Sequence, residues 1–252
     1  MRNRIAFDAL SLARILDFVT PTLCPLTGAP TSAPDLLSAA AWSAIQFIDD
    51  PVCDRCGAPF ASDFGSGAVC ARCAAHPPDF DRARAAVVYD EASHGLVVSF
   101  KHADRTELVR AFTLWLERAG APLFTPRAVL VPAPLHRNRL VSRRYNQAAL
   151  LSSALARRAR LVSAPMLLER TRATPPQKDL SPEARRRNVA GAFAVRAGME
   201  GMAEGAHIIL IDDVLTTGAT LSACARTLKR AGARRVDALV LARAMRGAAA
   251  LG

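Results

Sequence analysis

The stretch HIILIDDVLTTGAT, residues 207–220, constrains the fold of this chain more tightly than any other part of it. Residues 208–211 form a continuous apolar run, the pattern of a short strand covered on both faces of a sheet. Two adjacent carboxylates, Asp212 and Asp213, follow, and then a hydroxyl-rich turn containing Thr216, Thr217, Gly218 and Thr220. Beyond the turn, Leu221, Ala225 and Leu228 recur at helical spacing, and the pattern closes on Lys229, Arg230 and Gly232, which suit a helix C-terminus. The expected unit is strand, acidic pair, loop, helix. Loop amides and the following helix N-terminus can receive a phosphate there, and the threonine hydroxyls add donors. Carboxylates repel phosphate, so Asp212 and Asp213 suit a neighbouring group that donates hydrogen bonds or carries metal, such as ribose hydroxyls. A phosphorylated sugar meets both needs. The alternatives are a plain strand-end turn or a metal-binding pair in another nucleotide-binding fold. Neither a G-x-G-x-x-G nor a G-K-[ST] motif accompanies the stretch.

From AAVVYD (85–90) onward, strand-like and helix-like segments alternate, an α/β signature. HGLVVSFKHAD and RTELVRAFTLWLERAG read as helices, AVLVPAPL (128–135) as a buried strand entering a proline-stiffened loop, and YNQAALLSSALARRAR as a helix. APMLLERTR and VDALVLARA read as further strands. RATPPQKDLSPEARRRNVAGAF is too polar and proline-broken for core, and its Ser181-Pro182 pair marks the start of a short helix. No internal repeat stands out. In open α/β sheets ligands sit outside the carboxyl ends of the strands, which singles out the loops at 132–139 and 212–220.

The cysteines specify a second module. Cys53, Cys56, Cys70 and Cys73 stand as C-x2-C-x13-C-x2-C, two knuckles that complete a tetrahedral sulfur shell around structural Zn2+. The competing reading is a pair of redox dithiols or unligated cysteines. Cys24 opens CPLTG, where a matching knuckle needs cysteine at Thr27, so it makes no site alone. Cys224 reads as a small core residue. The N-terminal segment carries Asp8, Arg14 and Asp17 and reads as an amphipathic helix, with no export signal. The apolar run LLSAAAWSAIQFI is too short for a membrane span, which needs about 20 residues. A cytoplasmic, reducing setting is the expectation.

The formal net charge is +11. Nearly all of the excess falls in residues 136–190, where thirteen Lys and Arg face three Asp and Glu. A polyanion is implied, either single- or double-stranded DNA or a pyrophosphate-bearing substrate, against the plainer reading of a solvated basic surface. Aromatic residues, at 6%, give little support to a stacking platform for single strands.

ILIDDVLTTGAT resembles the phosphoribosyl pyrophosphate (PRPP) motif of type I phosphoribosyltransferases. A cysteine-rich N-terminus followed by SFKHADRTEL, VPAPLHRNRLVSRRYNQA, RATPPQKDLSPEARRRNVAGAF and that motif is similar to the ComF family over most of the chain. The resemblance implies a type I phosphoribosyltransferase-like, open, mainly parallel α/β sheet with flanking helices over residues 81–252. It also implies a small module of one helix and a double zinc ribbon over residues 1–80, here partly degenerate because Cys24 lacks partners. PRPP with Mg2+, a link to DNA uptake in natural competence and a competence-related protein partner come with it.

Carried across, Asp212 and Asp213 hold the ribose, Thr216, Thr217, Gly218, Ala219 and Thr220 surround the 5′-phosphate, and Val131, Pro132, Ala133 and Pro134 form the pyrophosphate loop. Arg143, Asn146 and Gln147 match the family's positions after that loop, and Gln177 with residues 181–188 its mobile loop. Phosphoribosyl transfer needs charge stabilisation more than a general base. Lys101, Arg137, Arg143 and Lys178 are the candidate catalytic cations at the leaving pyrophosphate. The acceptor is unknown. The alternative is a non-catalytic nucleic-acid-binding or scaffold protein that uses the ribbon and basic surface to assist DNA uptake.

Overall fold

In a computed structural model, the structure describes residues 22–33, 36–102, 108–135, 145–172 and 181–245. The expected N-terminal amphipathic helix and the residues Arg137, Arg143, Gln177 and Lys178 lie outside these.

Five strands form a parallel sheet in the order β1-β7-β6-β2-β3. They are β1 (Ala83–Val88), β2 (Ala128–Pro132), β3 (Val162–Ser163), β6 (His207–Leu215) and β7 (Arg235–Arg243). The intervening β4 (Leu168–Arg170) and β5 (Phe193–Val195) make a separate antiparallel pair. The helices are α1 (Ala39–Ala44), α2 (Ala71–Ala75), α3 (Glu91–His102), α4 (Leu108–Gly120), α5 (Gln147–Ala159), α6 (Pro182–Val189) and α7 (Ala219–Arg230).

The apolar runs in β6 and β7 are explained by cover on both faces, as side chains alternate across a strand. Ile208 and Leu210 of β6, with Val236, Ala238 and Val240 of β7, pack with Leu221, Ala225 and Leu228 of α7. On the opposite face Ile209, Ile211, Leu239 and Leu241 meet Phe112, Trp115 and Leu116 of α4 and Leu151 and Leu155 of α5. The outer edge of β1 is also covered. Residues 46–48 run antiparallel beside it, with Val88 N–H donating to Gln46 O and Ile48 N–H to Ala86 O. An edge so paired offers no open ladder to another chain.

Connections fix where a ligand can enter. From β2 the chain passes through α5 to β3 on one side, whereas from β6 it passes through α7 to β7 on the other. Adjacent strands whose connections diverge leave a crevice outside their carboxyl ends. β6 itself runs further than its apolar stretch. Asp212 and Asp213 are the sixth and seventh of its nine residues, so the acidic pair is held by sheet pairing with β7 instead of sitting in the turn.

The N-terminal part contains a repeat that the sequence conceals. Cys53 N–H donates to Ala58 O at 2.7 Å, Gly57 N–H to Cys53 O at 2.8 Å and Phe60 N–H to Pro51 O at 2.9 Å, with a bridge between Val52 and Pro59. Around Cys24 the same ladder recurs: Cys24 N–H to Ala29 O at 2.7 Å, Gly28 N–H to Cys24 O at 2.8 Å, Thr31 N–H to Thr22 O at 2.8 Å, and a bridge between Leu23 and Pro30. Each knuckle is followed by a short helix whose N-cap is Ser38 in the first and Cys70 in the second. Cys24, Thr27, Ser38 and Ala41 therefore occupy the places of Cys53, Cys56, Cys70 and Cys73.

Hydrogen bonds replace metal in the first half. Thr27 Oγ1 lies 2.9 Å from Ser38 Oγ, Ser38 Oγ accepts from Ala41 N–H at 3.2 Å, and Ala41 fills the fourth position at 1% exposure. Burial by itself would raise the Cys24 thiol, but the backbone N–H of Ser38 and the Thr27 side chain outweigh it and bring the thiol from 9.0 down to about 6. We expect Thr27→Cys, Ser38→Cys and Ala41→Cys together to raise zinc content from one to two equivalents per chain. Metal analysis showing one equivalent in the triple variant would refute the correspondence.

The second knuckle docks against the sheet. Arg55 O accepts from Ala83 N–H at 2.7 Å, and Arg82 and Arg84 both reach Asp54 Oδ1, at 2.6 and 3.1 Å. Gly57 permits the approach: it holds φ +65°, and a Cβ there would lie 2.7 Å from Ala83 O.

Candidate functional site

The crevice between β2 and β6 is a cavity of about 230 Å3. Lys101, Ala133, Pro134, Asp212, Asp213 and residues 214–220 line it. Ala133 N–H continues the sheet ladder by donating to Ile211 O at 2.8 Å, which aligns the start of the 132–139 loop with the acidic pair. Pro132 ends β2, and Val131 is buried within that strand, in the core.

Asp213 is paired. Lys101 Nζ at the end of α3 lies 2.9 Å from Asp213 Oδ2, with both side chains less than a fifth exposed. The cation is carried into the crevice by α3 and its backbone is tied down by Gln147, whose Nε2 donates to Lys101 O at 3.2 Å. Asp212 Oδ1 accepts from Asp213 N–H at 2.9 Å. The Asp212 carboxylate also acts on Cys224, whose buried thiol is pushed well above its ordinary value by burial and then by that charge. Cys224 is thus a buried neutral residue, as its place on α7 implied.

Gly218 caps α7 in the left-handed conformation, φ +79° and ψ 5°. Space is not the reason for glycine here, since a Cβ would meet nothing closer than 3.5 Å; the backbone conformation is. Thr217 Oγ1 accepts from Ala219 N–H at 3.3 Å, and Ser222 N–H donates to Gly218 O at 2.8 Å, opening the helix. Thr216 Oγ1 accepts from Arg185 Nη1 of α6 at 3.4 Å, so the polar segment after residue 181 comes down over the loop.

Asn146 and Gln147 serve as braces. Asn146 caps α5 by accepting from Ala148 N–H at 3.0 Å, and its Nδ2 donates to Ala133 O at 3.2 Å. Arg185 belongs to the 181–188 segment that the resemblance matches to a mobile loop, whereas Arg170, which lines the crevice from β4, carries no such signal in the sequence. Nothing in the segment around Arg170 distinguishes a lining cation from a solvated one.

In the ribbon, the sulfurs of Cys53, Cys56, Cys70 and Cys73 all lie within 4.8 Å of one another. Cys56 Sγ and Cys70 Sγ are 3.8 Å apart, and tetrahedral zinc with bonds of about 2.3 Å places its sulfurs about 3.8 Å apart. The set fits a structural zinc ion. Cys70 N–H donates to Cys53 Sγ at 3.2 Å, and Arg243 Nη2 to Cys56 Sγ at 3.2 Å, the kind of outer contact that orients and compensates thiolate ligands.

Residues 15–74 match the double zinc ribbon domain and residues 147–250 the phosphoribosyl transferase domain. DNA utilization protein YhgH of Escherichia coli (strain K12) is 31% identical over 230 residues, covering 89% of this chain and 98% of that protein. The chain belongs to the ComF family. Competence protein F of Haemophilus influenzae is 31% identical over 206 residues, 79% of this chain and 87% of that one. Among solved structures, a hypoxanthine phosphoribosyltransferase from Staphylococcus aureus aligns at 15% identity and a TM-score of 0.36, over 54% of this chain and 64% of that one.

This ComF-family chain thus joins a type I phosphoribosyltransferase-like sheet to a zinc ribbon of which one half retains four cysteines. Among the described residues no helix is long and apolar enough to cross a membrane.

Proposed function

We propose that the crevice between β2 and β6 binds PRPP with Mg2+, in a cytoplasmic protein whose phosphoribosyltransferase-like part begins near residue 81. One observation carries this reading: a carboxylate pair fixed in β6 and a hydroxyl-rich, helix-capping loop face one cavity at the divergence of the sheet's connections. Asp212 and Asp213 suit the ribose hydroxyls. Thr216, Thr217, Gly218, Ala219 and Thr220 suit the 5′-phosphate, and Ala133 and Pro134 the pyrophosphate. Bound Mg2+ would supply charge neutralisation at the leaving pyrophosphate. Lys101 is placed to share that task, and because it rests on Asp213 it must exchange part of that ion pair for the ligand. Turnover would move phosphoribose to an acceptor as pyrophosphate departs.

The relatives' names, DNA utilization protein and Competence protein F, support a role in handling DNA, with the basic stretch 136–190 as the contact. One titration series tests both parts. Calorimetry should show PRPP binding that strengthens with Mg2+, and short single-stranded DNA should bind in a manner that weakens steeply with salt, as counterion release requires. Absence of PRPP binding at millimolar ligand removes the first part, and absence of DNA binding at low salt removes the second.

A further inference from the structure

Arg72 stands between two zinc ligands, Cys70 and Cys73, on α2, yet its guanidinium reaches across to the phosphate loop. Its Nη2 donates to Thr217 O at 2.7 Å. The same loop is held from below. Leu215 O accepts from Ala244 N–H at 3.0 Å, next to Arg243, which donates to Cys56 Sγ. Phe80, 2% exposed, lies beneath Gly218, its ring edge 3.5 Å from where a Cβ would stand. A second cavity of about 270 Å3, lined by Arg72, Cys73, Phe80 and Arg243, separates ribbon from loop, so residues 215–219 are walls of both cavities.

The carbonyl that Arg72 grips belongs to the same peptide unit as the Gly218 N–H. That unit is planar and trans, so its N–H points opposite to its C=O. Fixing the Thr217 carbonyl toward the ribbon therefore aims the Gly218 N–H toward the crevice that holds Asp212. A peptide preceding glycine is the one most able to flip, because glycine accepts φ of either sign. Flipping would turn a carbonyl, which repels phosphate, into the crevice.

We propose that Arg72 is a positioning residue that locks the Thr217–Gly218 peptide with its N–H toward the phosphate, and that the zinc knuckle carrying Arg72 thereby couples metal occupancy to affinity for a phosphorylated ligand. The affinity part rests on the PRPP reading above; the lock itself does not. Arg72→Ala should retain one zinc equivalent while the amides of residues 216–219 exchange faster with solvent, and PRPP affinity should fall about tenfold, the scale of one hydrogen bond to a charged group. Arg72→Lys, which keeps one charged donor, should recover part of both. Zinc removal by chelation should reproduce the faster loop exchange in the wild-type chain. Unchanged exchange in zinc-loaded Arg72→Ala overturns the lock, and a protected loop in the chelated protein overturns the coupling. If the wild type fails to bind PRPP, the ligand assignment falls, while the exchange measurement still decides the lock.

Discussion

Asp212→Asn combined with Asp213→Asn is expected to weaken PRPP binding in Mg2+ by a factor of ten or more. A hydrogen bond to a charged acceptor contributes about 1.5–3 kcal/mol, and about 1.4 kcal/mol is tenfold in affinity, so losing even one ribose contact reaches that level. The exchange leaves shape nearly unchanged: Asp212 is paired with Val240 of β7 through the sheet ladder, and an amide oxygen at position 212 can still accept from Asp213 N–H. One opposing effect is built into the site. Asp213 neutralises Lys101, and its removal releases a cation that favours phosphate and pyrophosphate. Binding of inorganic pyrophosphate should therefore hold or strengthen in the double variant as PRPP binding drops. Gly218→Val should behave differently and weaken both ligands, because a β-branched residue at φ +79° strains the loop that receives phosphate. Calorimetric titrations of PRPP and pyrophosphate on folded variants separate these outcomes. Wild-type PRPP affinity in the double Asn variant would remove the acidic pair from the site.

The parts of this molecule that were legible in its sequence are those where one physical demand dominates. The β6 apolar run had to be a buried strand, Ser181 and Pro182 had to open a helix, and four cysteines at knuckle spacing had to converge; Ser181 Oγ does accept from Ala184 N–H at 3.2 Å, capping α6. The strand's true end was hidden because apolarity marks burial, whereas β6 continues through Asp212 and Asp213 on pairing with β7 alone. The repeat around Cys24 was hidden for a similar reason. Knuckle geometry is set by backbone bonds and by Gly28 at φ +69°, which survive while the ligands become Thr27, Ser38 and Ala41. Arg72 could not be read at all, since its partner is a backbone carbonyl 145 residues away and a carbonyl leaves no trace in residue type.

That division within the ribbon sets the second large effect, which Cys53→Ser should expose. Cys53 is fully buried, and the cluster around it consists of Cys56 and Cys73 with Ala58, Phe60 and Cys70 packed against them. A core made chiefly of the ligands themselves cannot stand without its metal. Structural zinc in such modules contributes on the order of 10 kcal/mol or more of apparent binding free energy, which is also folding free energy. The variant should lose its zinc equivalent, and residues 49–79 should become sensitive to protease. The first half should not follow it. Ile45 belongs to the core that includes Trp115 and Leu116, Leu26 and Leu37 pack against that core, and Trp42 and Phe47 meet Trp115 edge-to-face at centroid distances of 6.0 and 5.1 Å. Its closure depends on Thr27 and Ser38 hydroxyls and on that packing, none of which needs metal. The parallel sheet should persist as well, as its two cores are built chiefly from its own strands and helices and include none of the four zinc ligands. Metal analysis with limited proteolysis mapped by mass spectrometry reads all three parts at once. Retention of zinc by Cys53→Ser would refute the ligand set, and simultaneous cleavage of residues 22–45 with 49–79 would show that the metal-free half leans on its zinc-bearing twin.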